Sequence, residues 1–311
     1  MSEAKRLSPI ARTAYAFDWI IIGYCLLMVA AILLLGRPLS VYTDELAFYA
    51  ATGLIALLIS RYVDPSQSRW HALVRLLYPA AMFTFFYRAT GGLMFLLTDQ
   101  FLDWQVVTFE KMILGANPTL YFDAHMLNTW TNEILSFCYF SYYPMLPIFL
   151  IVTFARKHYR VVIEFTAAAC LTFFISYLLF SLYPVEGPRW YFAELYANKI
   201  EGPLFRPLVE MVINRGAVHG GAMPSSHTGV ALVIMLFCFR YYRRAGWILL
   251  PIVTGLALGT VWGRFHYASD VIVGAAIGIF SLGLVWKYRG AETPDRTSTS
   301  EHRELSRQDV S

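Results

Sequence analysis

Charge is scarce in this sequence. Only 15% of the 311 residues are Asp, Glu, Lys or Arg, while 57% are hydrophobic, 16% are aromatic and the mean hydropathy is +0.50. A water-soluble globule needs more polar surface than this, so the chain reads as an integral membrane protein. Cysteine is scarce too. Cys25, Cys138, Cys170 and Cys238 all fall inside apolar runs, where a free thiol behaves as a small hydrophobe, and they form no disulfide framework. No small-residue cleavage site follows the first apolar stretch, which runs past Leu35 into Gly36-Arg37, so it reads as a retained span rather than a signal peptide. No internal repeat or soluble domain is visible, and nothing in the net charge of +4 points to nucleic acid.

Long apolar runs are what the sequence has instead. Stretches long enough to cross a bilayer recur at 19–36, 45–60, 70–88, 133–155, 161–183, 227–243, 247–263 and 270–288. They predict an all-α, polytopic membrane bundle of about eight transmembrane helices. Three regions are expected: N-terminal helices over 1–68, a core over 69–289 and a disordered tail over 290–311 that turns to Glu, Thr, Ser, Arg and Asp without apolar periodicity. The connection 89–132 contains Leu102, Val106, Phe109 and Ile113 at helical spacing. It reads as a helix lying in the interface, with Asp103, Glu110 and Lys111 on other faces and Gly115, Asn117 and Pro118 ending it.

Lysine and arginine in the short loops set the orientation. With Lys5, Arg6 and Arg12 cytoplasmic, eight spans put Arg61, Arg69, Arg156, Lys157, Arg160, Arg240, Arg243, Arg244, Lys287 and Arg289 on the same side. Both termini are then cytoplasmic, and Arg189, His227, His266 and Asp270 share the outer face. A single histidine at a membrane interface is often a tolerated polar residue. Four polar groups drawn to one face from some eighty positions of sequence are read as one site.

The residue types suit phosphate chemistry. His266 and Asp270 stand four apart, so a helix beginning near His266 puts them on one face, the carboxylate orienting one ring nitrogen and leaving the other as nucleophile. His227 follows Pro224-Ser225-Ser226 at a helix start, where backbone N–H groups and the helix dipole favour an anion. Ser225 and Ser226 add hydroxyl donors, His227 suits a general acid, and Arg264, Arg189 and Arg215 are available to neutralise charge. His219, His71, His158, His302 and His125 read as loop or surface residues, and a plain interfacial salt bridge competes with a catalytic role for Glu186 and Arg189.

Pro224-Ser225-Ser226-His227 and His266-Tyr267-Ala268-Ser269-Asp270-Val271 resemble the second and third signature motifs of the type 2 phosphatidic acid phosphatase superfamily, over about 120–285. The resemblance implies a metal-free reaction without a cofactor, with His266 phosphorylated, Asp270 orienting it and His227 as the acid. Two features depart from the usual phosphatases. Tyr183-Pro184-Val185-Glu186-Gly187-Pro188-Arg189-Trp190 stands in place of Lys-x6-Arg-Pro, and Thr260 occupies the position of an arginine six residues before the nucleophile. The phosphate clamps are then missing or moved to Arg189 and Arg264. Gly-Ala-x-Pro-Ser-x-His, the Tyr-Pro…Gly-Pro-x-Trp segment and Asp103 to Pro118 look more like the inositol phosphorylceramide synthase branch, which transfers phospho-head-groups between lipids. The expectation is an enzyme of a bacterial inner membrane that cleaves or transfers a lipid phosphate ester, its partners being a lipid phosphate or phospholipid and the bilayer. Two alternatives are a metal-dependent transferase with His227, His266 and Asp270 as ligands, and a transporter or scaffold that retains the fold.

Overall fold

The computed structural model describes residues 14–36 and 38–292. The basic N-terminal residues Lys5, Arg6 and Arg12 lie outside the described residues, as does the tail beyond Glu292. The helices are α1 Ala16–Leu35, α2 Thr43–Tyr62, α3 Arg69–Gly91, α4 Asp103–Leu114, α5 Pro118–His125, α6 Thr129–Phe140, α7 Tyr142–Ala155, α8 Tyr159–Leu182, α9 Pro188–Tyr191, α10 Phe205–Gly216, α11 Ser226–Tyr241, α12 Arg243–Trp262 and α13 Ala268–Glu292, with a 3-10 turn at Leu39–Val41.

Six helical stretches among the described residues are long and apolar enough to cross a membrane: α1, α2, Thr129–Ala155, α8, α12 and Ala268–Tyr288. The other two segments read from the sequence are helices as well. α3 is 23 residues long but carries Arg69, Arg75 and Arg88, and α11 has 16 residues. The protein is a polytopic all-α membrane bundle.

α8 is its centre, with 72% of its apolar window buried against α1, α3, α7, α11 and α13. Around it, α11 and α13 approach closely because glycines face each other. A Cβ added at Gly229 would stand 2.7 Å from the Gly274 carbonyl oxygen, and one at Gly278 would stand 2.5 Å from that of Gly229. Small residues are what allow helices to touch at backbone distance in a membrane, where dispersion contacts replace the hydrophobic effect.

The run read as one span at 133–155 breaks at Ser141. Pro144 offers no N–H, and its ring clashes with the carbonyl four residues back, that of Phe140, where α6 ends. The Ser141 hydroxyl donates to the Cys138 carbonyl at 2.6 Å across the break. α6 therefore packs along α12, while α7 leaves it and packs on α8 and α11.

The N-terminal helices are fastened to the core by one buried ion pair. Arg75 of α3 holds Asp18 of α1 through both carboxylate oxygens, and both side chains are fully buried. Tyr78 donates to Asp18 Oδ1 at 2.6 Å, and the Arg75 guanidinium lies 4.4 Å from the centre of the Tyr15 ring. Two charges inside a bundle are tolerable only when each satisfies the other.

Arg75→Leu is expected to destabilise the protein by about 3–5 kcal/mol by stranding the Asp18 charge, whereas Arg75→Leu/Asp18→Leu should regain most of that loss. Denaturant titration in detergent checks this, and equal losses in the single and double variants would refute the pairing argument.

Candidate active site

His266 lies just before α13, two residues ahead of its first helical position. Its backbone N–H donates to the Thr260 carbonyl at 3.1 Å, as does that of Phe265 at 2.9 Å. Thr260, where the resemblance implied an arginine, thus closes the turn that presents the histidine. The His266 Nδ1 stands 2.7 Å from the Ala222 carbonyl oxygen and 3.5 Å from Asp270 Oδ2. A carbonyl can only accept, so Nδ1 carries the hydrogen and Nε2 holds the free lone pair.

This arrangement differs from the expected shared helix face. Asp270 is the third residue of α13 and spends Oδ2 on the Tyr267 backbone N–H at 2.8 Å, as an acid near a helix start does. Its other oxygen, Oδ1, is buried and makes no hydrogen bond. The orienting partner of His266 is therefore first a backbone carbonyl, with the carboxylate behind it supplying negative charge.

His227 stands in the first turn of α11, whose N-cap is Ser225. The Ser225 hydroxyl accepts from the Thr228 N–H at 3.4 Å, and its own N–H donates to the Asp270 carbonyl at 2.9 Å. Ser225 is thus a buried cap locked to α13 rather than a free donor, whereas the Ser226 hydroxyl makes no hydrogen bond to a described residue. The His227 ring sits among Tyr142, Tyr139 and Tyr143, at centroid distances of 4.5, 5.6 and 6.3 Å, and is 5.9 Å from the ring of His266. Its Nδ1 is buried and makes no hydrogen bond. Buried polar atoms are nearly always paired, so unpaired ones on both His227 and Asp270 mark this spot as built for something other than stability.

The arginines lie beside this cluster. Phe265, next to His266, packs at a tilt on Tyr139, ring centres 4.7 Å apart, and has the guanidinium carbons of Arg206 and Arg189 at 5.3 and 5.9 Å from its centre. Arg189 grips Glu210 at 2.6 and 3.1 Å and reaches Asn214 at 3.3 Å. Arg206 pairs with the same carboxylate. Although burial pushes the Glu210 carboxyl up, the two arginines win and hold it below its ordinary range. Arg264, at φ 66°, turns away to Asp123 and to the Asn198 carbonyl at 2.6 Å, its guanidinium 3.7 Å from the centre of the Tyr196 ring. Arg215 is exposed at the end of α10 and joins neither group.

Three functional candidates were not read from the sequence. Arg206 is one, announced only by its spacing of four from Glu210. The others are Asp103 and Glu110 of α4, expected on faces other than the apolar stripe and given no role. The helix and its end at Gly115 are as expected, and the acidic face is the one that packs inward. Asp103, Val106 and Glu110 are buried, whereas Phe109 and Ile113 are exposed.

Asp103 accepts from the backbone N–H groups of Glu186 at 2.7 Å and Gly187 at 2.9 Å, and from the Tyr267 hydroxyl at 2.8 Å. The segment it holds continues into a bridge, in which the Val185 N–H donates to Gly220 and the Ala222 N–H to Val185. Ala222 is the residue whose carbonyl orients His266. Gly187, at φ 100°, allows the turn that aims its N–H at Asp103. Burial and the Asp103 charge push the Tyr267 hydroxyl far up, so it stays a donor. Glu110 accepts from the Ser269 N–H at 2.8 Å and hydroxyl at 2.9 Å, securing the start of α13.

Among the described residues no three His, Cys, Asp or Glu side chains come together as a metal site. Fold and site thus define a helical membrane protein with two histidines and an aspartate gathered at one end of the bundle, flanked by arginines. A family model described as the PAP2 superfamily matches residues 104–284, more than half of the chain. The chain belongs to this superfamily. It is similar to a PA-phosphatase related-family protein of Dictyostelium discoideum, 24% identical over 219 residues that cover 63% of this chain and 39% of that one. It is also similar to the bacitracin transport permease protein BcrC of Bacillus licheniformis, 29% identical over 65 residues that cover 21% of this chain and 32% of that one. The chain thus spans well under half the length of either curated relative. No solved structure matches it.

Asp103→Ala leaves two backbone N–H groups and a tyrosine hydroxyl without their acceptor in a buried site, at about 1–3 kcal/mol each before relaxation. The unfolding midpoint in detergent should fall clearly, and Asp103→Asn, which keeps one acceptor oxygen, should fall less. Indistinguishable midpoints for all three proteins would remove Asp103 from this role.

Proposed function

We propose that the protein cleaves or transfers a phosphate ester on a lipid through a phosphohistidine formed on His266. The observation that carries this reading is the hydrogen bond from His266 Nδ1 to the Ala222 carbonyl, which leaves the free lone pair on Nε2 of a ring 5.9 Å from that of His227. Nε2 attacks phosphorus, and the bond from phosphorus to the lipid oxygen breaks. His227, which must take up a proton before this step, gives it to that oxygen. Asp270, behind the ring, stabilises the positive charge that develops on His266 as the new bond forms. In the second half, water or a lipid hydroxyl attacks phosphorus, the bond to Nε2 breaks, and His227 takes the proton from the attacking oxygen.

Arg189 and Arg206 are the cations nearest this chemistry through Phe265, and the backbone N–H groups at the start of α11 add donors for the phosphoryl oxygens. Arg264 serves by holding the turn of His266 against Asp123 rather than by direct contact. Ser226 offers a hydroxyl, and Ser225 contributes as the cap of α11.

Similarity to a PA-phosphatase related-family protein supports a glycerophospholipid phosphate as substrate. The missing arginine at Thr260 and the Gly187-Pro188-Arg189-Trp190 segment support the transferring, inositol phosphorylceramide synthase-like branch. The basic short loops support a cytoplasmic N-terminus and a site facing outside a bacterial inner membrane.

The leaving group separates the roles of the two histidines. His266→Ala should abolish turnover of every substrate. In the first turnover, before dephosphorylation, His227→Ala should slow alcohol release from a lipid phosphate by about 10²–10⁴-fold yet barely affect the burst of p-nitrophenol from p-nitrophenyl phosphate, whose leaving group needs no proton. Residual turnover in His266→Ala, or equal first-turnover losses on both substrates in His227→Ala, would overturn the assignment.

A further inference from the structure

The break at Ser141 has a second result, at the end of the bundle away from His266. Because α6 follows α12 and α7 does not, a groove opens between α7 and α12 with α11 as its floor. It holds about 480 Å³ and is almost entirely apolar. Met145, Ile148 and Val152 form one wall, Ile248 and Ile252 the other, and Ile234 lies on the floor. Ser141 and Pro144 close it toward the site, and Arg156 and Arg244 stand at the opposite mouth. The groove follows the whole of α7, 14 residues or about 21 Å at the helical rise, which is the length of an extended acyl chain rather than of a small solute.

The mouth is strongly cationic. Over 153–164 and 238–249 the sequence carries Arg156, Lys157, Arg160, Arg240, Arg243 and Arg244 against a single carboxylate, Glu164. That carboxylate is engaged by Arg160 and by the Tyr241 hydroxyl. Arg156 and Arg244 are exposed, and the Arg156 guanidinium lies 5.5 Å from the centre of the Tyr242 ring, at the edge of the groove. An apolar channel of chain length that ends at two arginines complements one molecule: a lipid whose head group is an anion.

We infer that this groove is a binding site for an anionic glycerophospholipid, one acyl chain lying between α7 and α12 and the phosphate held by Arg156 and Arg244. The site is separate from the histidine cluster and stands whether or not the phosphohistidine reading holds. It nevertheless touches that cluster at one point. Tyr142, in the same turn as the groove's Ser141 and Pro144, has its ring 4.5 Å from that of His227.

The test is photolabelling of the full-length protein in detergent with phosphatidylglycerol or phosphatidylcholine carrying the same diazirine-bearing chain, followed by peptide mapping. Phosphatidylglycerol should label the segments around Val152 and Ile248, and phosphatidylcholine should label them far less. Arg156→Gln/Arg244→Gln should cut the phosphatidylglycerol signal about twenty-five-fold, since each basic group near an anionic head group is worth about five-fold. Val152→Trp/Ile248→Trp, which fills the groove and leaves the charges in place, should cut labelling by both lipids. Equal labelling by the two lipids, unchanged in the arginine variant, would reduce the groove to ordinary lipid-facing surface. Full protection by millimolar glycerol phosphate would instead make it a site for a soluble phosphate, and either result overturns the proposal.

Discussion

One hydrogen bond, from His266 Nδ1 to the Ala222 carbonyl oxygen, is what the rest of the site depends on. A carboxylate alone leaves the choice of tautomer to its own protonation, whereas a carbonyl can never donate. The imidazole is thereby fixed with the free lone pair on Nε2 before any substrate arrives. That fixity has to be supplied by the backbone of Ala222, which sits in a loop. The loop is held by the bridge to Val185, Val185 runs into the two N–H groups bound by Asp103, and Asp103 also holds the hydroxyl of Tyr267, next to His266. Four segments far apart in the sequence thus close a ring of hydrogen bonds around one histidine. Pre-set geometry of this kind lowers a barrier because the groups need not reorganise during the reaction.

The bundle makes the ring possible. α11 and α13 start at the same end and lie at backbone distance through Gly229, Gly274 and Gly278, which brings the first turn of one against the first turn of the other. The Ser225 N–H to Asp270 carbonyl bond is the direct outcome. α6 and α7 contribute the tyrosines that surround His227, and the break between them sets where those rings fall. Short helices outside the spans, α4 and α10, then bring carboxylates and arginines to the same end. Glu133 of α6 anchors α10 by accepting from the N–H groups of Leu204 and Phe205.

Much of this was legible in the sequence. Hydropathy marks each long helix because a bilayer demands runs of a certain length, and the histidines and Asp270 are marked by motif and by the side of the membrane they share. What stayed hidden has a common physical origin. Asp103 and Glu110 work by accepting from backbone N–H groups, which every residue has, so no pattern of side chains announces their partners. The apolar stripe on α4 marks an interfacial helix but says nothing of its other face: Phe109 and Ile113 are exposed, and the acidic face is the one that packs. The salt bridge expected between Arg189 and Glu186 is not the one that forms: Arg189 pairs with Glu210, 21 positions away, Glu186 with His219, and Arg264 with Asp123, 141 positions away. The break at Ser141 was missed because composition does not change across it. Pro144 was its only sign.

The central claim is that the lone pair on His266 takes up the phosphoryl group. The most direct measurement is to quench the protein in alkali within milliseconds of mixing with a ³²P-labelled lipid phosphate and to map the label by peptide mass spectrometry. The account predicts an acid-labile, alkali-stable phosphoryl group on the peptide that carries His266. Turnover with no label on that peptide, or label carried by another residue, would contradict it.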